Sequence, residues 1–275
     1  LNVIVGIEDK GLVLGPLIIN RAYDAQKKGC NVSIVPVESS DDRMAQITIS
    51  DCDEKSENEN AVLCTILADI IVENLQVRHL VRLLKQDYDY LPEKDQCEIL
   101  VCVLKELWYG SSDLDSDVSM CKQNVTKRLS TLMYETVPDT LILEGFMRFR
   151  MKDYLDEWDR ALAVGVESYI RKKEYAEFVE ILRLFVNIRI PRVRKVHVCV
   201  DGHGEYLLLD ERLCLLKCTF LGKRIDRDDA LLSALVNIAP LCIVVHNRDK
   251  FWDARILETI KDVFGKRVEF SEDMI

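Results

Sequence analysis

Apolar and polar residues alternate over residues 2–7, 31–38 and 44–50, the period-two signature of strands with one buried face. Between the first two runs, residues 10–28 form an apolar and basic stretch stopped by Gly29, which predicts a helix. Pro16 lies inside that stretch. A proline in a helix interior costs about 3 kcal/mol, so the helix is expected to begin near Pro16 and hold it in the first turn. The acidic, polar residues 51–60 read as a solvated loop. From 61 to 109 the apolar positions recur at helical spacing, as in Ile66, Ile70, Leu75, Leu80 and Leu84, then Ile99, Val103 and Leu107. Two or three amphipathic helices interrupted near Pro92 are expected there.

Residues 110–119 are acidic and rich in turn formers, and a helix is expected over 121–135. The stretch 141–188 carries the longest helical pattern, read as two helices with a break at 172–174 and ended before Pro191. Residues 193–200 alternate as a strand, Asp201-Gly202-His203-Gly204 supplies a turn, and 205–209 and 213–217 continue a meander. Asp226 caps a helix to residue 238, and 241–246, 253–264 and 267–270 follow as strand, helix closed by Gly265, and strand, a parallel βαβ unit. The predicted class is α/β (α+β): an N-terminal βαββ segment, a long helical middle, and a C-terminal β-meander followed by an αβαβ unit. The expected domains are residues 1–110 and 120–275, with a linker at about 110–119. Within the helices, Phe146, Phe149, Tyr154, Phe178, Leu182 and Phe185 are expected to pack in the core.

With 48% hydrophobic and 31% charged residues, the 275-residue chain has enough apolar material for two cores and is not globally disordered. Its net charge of −10 argues against a surface built as a whole to hold a polyanion, which leaves nucleic acid an unfavoured partner except at a local basic patch. No uninterrupted run of 18 apolar residues occurs, so no membrane span is expected. The opening Leu-Asn-Val-Ile-Val-Gly-Ile reads as a first strand rather than a leader, and Cys64, Cys102, Cys199 and Cys242 sit in apolar runs as small hydrophobes. A cytoplasmic location is the expectation.

Candidate chemistry is sparse. His197, Cys199 and His203, with Cys214 and Cys218 downstream, invite a metal reading, but their spacing is not that of a zinc site, and strand packing with an exposed turn histidine explains them. The glycines at 11–15 and 202–204 match neither a Walker loop nor a dinucleotide fingerprint. No nucleophile elbow, HExxH or spaced Cys–His pair occurs, and Asp228 and Asp229 fall where helix capping accounts for them. No catalytic residue, cofactor or metal is assigned, and whether the chain is an enzyme is left open. Two basic features remain. Arg148 and Arg150 alternate with Phe146 and Phe149, and Arg189, Arg192 and Arg194 lie in the acid-free window 181–200. A salt-bridged helix explains the first pair. The alternative reading is that these five arginines contact an anion or an acidic partner.

The run 143–154, Leu-Glu-Gly-Phe-Met-Arg-Phe-Arg-Met-Lys-Asp-Tyr, resembles the YtxC-like sporulation proteins of endospore-forming Firmicutes. Lys173-Glu174-Tyr175-Ala176-Glu177-Phe178, the hairpin ending Glu205-Tyr206-Leu207-Leu208-Leu209-Asp210, and Asp229-Ala230-Leu231-Leu232-Ser233-Ala234-Leu235 resemble the family in the same order. The resemblance implies a bacterial cytoplasmic protein connected with sporulation and brings no reaction, cofactor or site residue with it. It favours action through a protein partner. The alternative is an enzyme or binding protein for a small phosphorylated or nucleotide ligand, since α/β segments often hold ligands beyond their strand ends.

Overall fold

The structure is a computed structural model that describes residues 1–8, 14, 16–19, 23, 31–37, 43–50, 59–109, 119–133, 138–216, 226–247, 251 and 253–271. The chain divides into two compact units, Leu1–Tyr169 and Ile170–Ile275. The expected linker at 110–119 lies, Ser119 apart, outside the described residues.

In the first unit, β1 (Asn2–Gly6), β2 (Asn31–Pro36) and β3 (Met44–Ser50) follow the alternation of the sequence. Val3 and Val5 of β1 and Ala45, Ile47 and Ile49 of β3 are buried, and Val3 stands opposite Ile47 in an antiparallel register. The sheet order is β2-β3-β1-β4, in which β4 (Thr140–Ile142) runs parallel to β1. Thus β1 and β2 are not neighbours, because β3 turns back between them. Leu14 and Pro16–Ile19 are helical, with Leu14 and Ile18 buried.

The helical middle begins with α1 (Glu59–Ile70), which passes through a π-helical turn, Ile71–Leu75, into α2 (Gln76–Asp87). Sequence spacing explains the wide turn. The apolar residues Ile70 and Leu75 at its two ends are five apart, more than one 3.6-residue turn, and an i→i+5 turn keeps both on one face, with Leu80 following in the regular helix. All three are buried. Residues 59–87 form a helix long and apolar enough to cross a membrane, with a mean hydropathy of 1.4 in its best window, yet 61% of that window is buried inside the protein. It packs as a core helix. Next come α3 (Glu93–Tyr109) and α4 (Ser119–Leu132); the expected end at residue 135 lies outside the described residues.

Then α5 (Leu143–Arg150) and α6 (Lys152–Ile188) follow. Two helices were expected over this stretch, but the break falls at Met151 and not at 172–174. Lys172, Lys173 and Glu174 are polar, yet each is a good helix former and none is a breaker, so α6 runs through them. The first half of α6 buries Trp158, Leu162 and Val166. At Gly165 a side-chain carbon would lie 2.3 Å from a Val103 methyl on α3, so glycine permits that close approach.

The second unit is a sheet in the order β6-β5-β7-β8: β5 (Lys195–Val200), β6 (Tyr206–Leu209), β7 (Cys242–His246) and β8 (Val268–Ser271). β5 and β6 form the expected antiparallel hairpin, with only a bridge from Leu209 to Leu215 continuing the meander among the described residues. The turn is built on Asp201, whose Oδ1 accepts from the backbone N–H groups of His203 and Glu205, both at 2.8 Å. α7 (Arg227–Ile238) leads from β6 into β7, which lies parallel to β5, and α8 (Ala254–Phe264) links β7 to the parallel β8. Val196, Val198, Ile243 and Val245 pack with Leu231, Leu235, Ile256 and Ile260, and α6 contributes Val179 and Val186 to the same core. The architecture is therefore mixed α/β with two mixed sheets, as the sequence predicts.

Candidate functional site

Two features of the second half of α6 define the strongest candidate surface. Toward its own unit the helix sends Val179, Leu182 and Val186 into the core. Tyr175 donates to Asp262 of α8 at 2.9 Å, and Arg183 is held by the Asp262 carbonyl at 2.7 Å and Glu180 at 2.6 Å. A second face, about 110° round the helix, is also apolar. Phe178, Ile181, Leu184, Phe185 and Ile188 are exposed, Phe185 at 53% and Ile188 at 79%. Steps of three, four and three place Phe178, Ile181, Phe185 and Ile188 on one stripe, with Leu184 at its edge. An apolar stripe of this size on a polar protein is the usual mark of a contact surface.

This overturns part of the aromatic core expected from sequence. Phe149 is 81% exposed, and Phe178 and Phe185 are exposed as well. The inward positions at 179, 182 and 186 are aliphatic, so the aromatics one residue away fall on the outer face. Leu182 does pack against the core of the second unit, and Phe146 and Tyr154 are half-buried. Tyr154 meets Trp158 edge-on with ring centroids 5.2 Å apart.

In the first unit, a cavity of about 660 Å³ is lined by Glu8, Arg78, His79, Arg82, Glu144, Arg148, Lys152, Asp156 and Asp159, with Leu75, Met147, Leu155 and Trp158 as its apolar wall. His79 Nε2 lies 2.6 Å from Asp159, and its Nδ1 lies 3.2 Å from Arg82. Since an arginine only donates, Nδ1 accepts and the Nε2 proton goes to Asp159. Both ring nitrogens are occupied, which makes His79 a clamp for Arg82 rather than a free base. Glu144 accepts from the Glu8 backbone N–H at 2.9 Å, and Arg148 forms an ion pair with Glu8 at 3.6 Å.

The five arginines singled out from sequence fall in both units. Arg148 lines the cavity, while Arg150 ends α5 exposed. In the second unit, Arg189 donates to the Asn237 carbonyl at the end of α7, and Arg192 and Arg194 are exposed without an ion pair among the described residues. Backbone groups of Arg192 and Arg194 tie the segment down: Arg192 donates to Ile238, and the Arg194 carbonyl accepts from Cys242. The sequence did not point to Arg78, Arg82 and His79. Their i, i+1, i+4 spacing on α2 was hidden in an ordinary amphipathic pattern, and the partner of His79, Asp159, lies eighty residues away on α6.

His197 and Cys199 share the face of β5 turned away from the buried valines, and the neighbouring strand adds His246. The two histidine rings stack with centroids 5.1 Å apart, His197 Nδ1 lying 2.8 Å from His246 Nε2. Among the described residues no group of His, Cys, Asp or Glu has the arrangement of a metal site. Burial raises the thiol pKa of Cys64, Cys199 and Cys242, opposite to what a nucleophilic cysteine requires. Cys218 lies outside the described residues.

An exposed apolar helix stripe and a cavity of balanced charge are carried by a mixed α/β protein with two mixed sheets. Residues 61–269 match the YtxC-like family, and the chain belongs to that family. It is 26% identical over 215 residues to "Uncharacterized protein YtxC" of Bacillus subtilis (strain 168), an alignment that covers 74% of each chain. No solved structure matches it.

Proposed function

We propose that this chain is a cytoplasmic, sporulation-associated protein that acts by binding a protein partner. The sporulation setting rests on the likeness to the YtxC-like sporulation proteins, and the mode of action rests on the exposed stripe of α6. Five large apolar side chains on one helix face cost solubility, and covering them provides the hydrophobic driving force of an interface. Affinity purification from sporulating cells tests this. The wild-type chain is expected to retain a reproducible partner that a Leu184→Asp, Phe185→Asp chain loses. Equal recovery by both chains, together with turnover of a metabolite by the purified protein, would overturn the reading.

The cavity of the first unit supports a second reading, a site for a small phosphorylated or nucleotide ligand. Its volume of about 660 Å³ is that of a small-molecule site, and Arg78, Arg82, Arg148 and Lys152 line it together with Glu8, Glu144, Asp156 and Asp159. A thermal-shift screen of nucleotides and sugar phosphates checks this. A ligand at 100 times its Kd stabilises the protein by about 2.7 kcal/mol. Flat melting curves across the set, or a shift that survives Arg82→Ala, would remove the cavity as that site.

A further inference from the structure

We propose that the α6 stripe is a self-association seam, closed by the same stripe of a second copy running antiparallel about a two-fold axis near Arg183. This rests on the partner-binding reading and names the partner. The first argument is the spacing. Phe178, Ile181, Phe185 and Ile188 are separated by steps of three, four and three, a pattern that reads the same from either end. A two-fold axis through its centre brings Phe178 against Ile188 and Ile181 against Phe185 of the second copy, so every knob meets an apolar position. Leu184, beside the seam, comes to lie near Leu184 of the second copy.

Charge gives the direction. The stripe is flanked by Glu174 and Glu177 at its start and by Arg189 and Arg192 just past its end. An antiparallel pair places the acidic end of each copy beside the basic end of the other, whereas a parallel pair places like charges together. Beyond residue 174 the same pairing sets Arg171 and Lys172 opposite Lys195 and Arg194, so the charge match is confined to residues 174–192. Arg183 lies on the side of α6 turned away from the stripe, where Glu180 and the Asp262 carbonyl hold it, so it does not meet its copy at the seam.

The area is also of the right order. A large apolar side chain presents about 150–250 Å² when free. The stripe residues and Ile190, at 87% exposure, are between half and almost fully exposed. They offer roughly 600 Å² per copy before their neighbours are counted, against about 800 Å² per partner in a standard interface.

The test is the mass of the full chain in solution, measured by sedimentation across a concentration series. A reversible dimer is expected. Leu184→Asp or Phe185→Asp should weaken it by about 10-fold or more with the circular dichroism spectrum unchanged, since both positions are exposed. Glu177→Arg and Arg189→Glu should each weaken the dimer, and the two changes in one chain should restore it. A wild-type monomer at every concentration, or a dimer indifferent to these variants, overturns self-pairing. A monomer that still captures a different protein through the stripe overturns self-pairing alone. Loss of all stripe-dependent association overturns the partner-binding reading too.

Discussion

Gly265 closes α8 with φ +57 and ψ −123, a conformation an L side chain adopts only under strain, while a side chain there would meet nothing within 4 Å. Gly265→Ala therefore tests backbone strain with no packing change, and a loss of about 1–3 kcal/mol in chemical denaturation is expected. The stop was legible in the sequence because a glycine after the last apolar turn is a helix terminator. The histidine pair was not, because His197 and His246 are 49 residues apart and meet only through strand pairing. Burial, followed by the nearby His246 and Lys195, holds the His197 pKa below its ordinary value. As the pH falls the unfolded chain takes up that proton first. This contribution to stability is thus complete above the ordinary histidine value of about 6.5 and is lost as the pH drops from there through the lowered folded-state value. Melting temperatures from about pH 7.5 down to 5 should decline, and His197→Gln should flatten the decline. An identical decline in the variant would assign the pH dependence to other groups.

At the scale of elements, α6 shows what the helical period alone leaves undecided. Its first half carries Gly165 against Val103, where a side-chain carbon would come within 2.3 Å of a methyl. Gly165→Ala should destabilise the protein by about 1–3 kcal/mol through overpacking. Val103→Ala removes the clashing methyl, so the double variant should be more stable than the sum of the two single changes predicts. Simple additivity in a double-mutant cycle would show that the helices separate there without cost. In its second half the apolar residues occupy two faces, 179/182/186 and 178/181/185/188. The expected core of Phe178, Leu182 and Phe185 drew on both, and only Leu182 packs inward, because the spacing does not say which face the sheet takes. Similarly, polar residues at 172–174 suggested a break because polarity was read as a breaker, whereas only backbone-restricting residues or caps end a helix.

For the whole molecule, self-association makes stability depend on concentration, since the dimer binds the folded state only. The melting temperature of the wild-type chain should rise with protein concentration, and that of Phe185→Asp should not. A flat wild-type series would speak for a monomer whose stripe serves another partner. The binding screen on the cavity is independent of this outcome, because its lining residues all belong to the first unit.

The sequence by itself determined most of the element types, with the exception of β4, whose Leu141 and Ile142 fell in a stretch read as helix. Period-two and period-3.6 patterning reflects one-sided burial, and Gly, Pro and Asp punctuate it locally, so β1 to β3, the β5–β6 hairpin and the β7–α8–β8 unit were readable residue by residue. The run at 143–154 also carried the family. Tertiary structure alone decided which elements became neighbours: β3 between β1 and β2, β4 parallel to β1 from the far side of the helical middle, and Arg82, His79 and Asp159 drawn to one cavity. It also decided which apolar face of α6 was covered. These depend on pairings between residues far apart in the chain, whose free energy comes from shared burial and hydrogen bonding and leaves no local periodic trace.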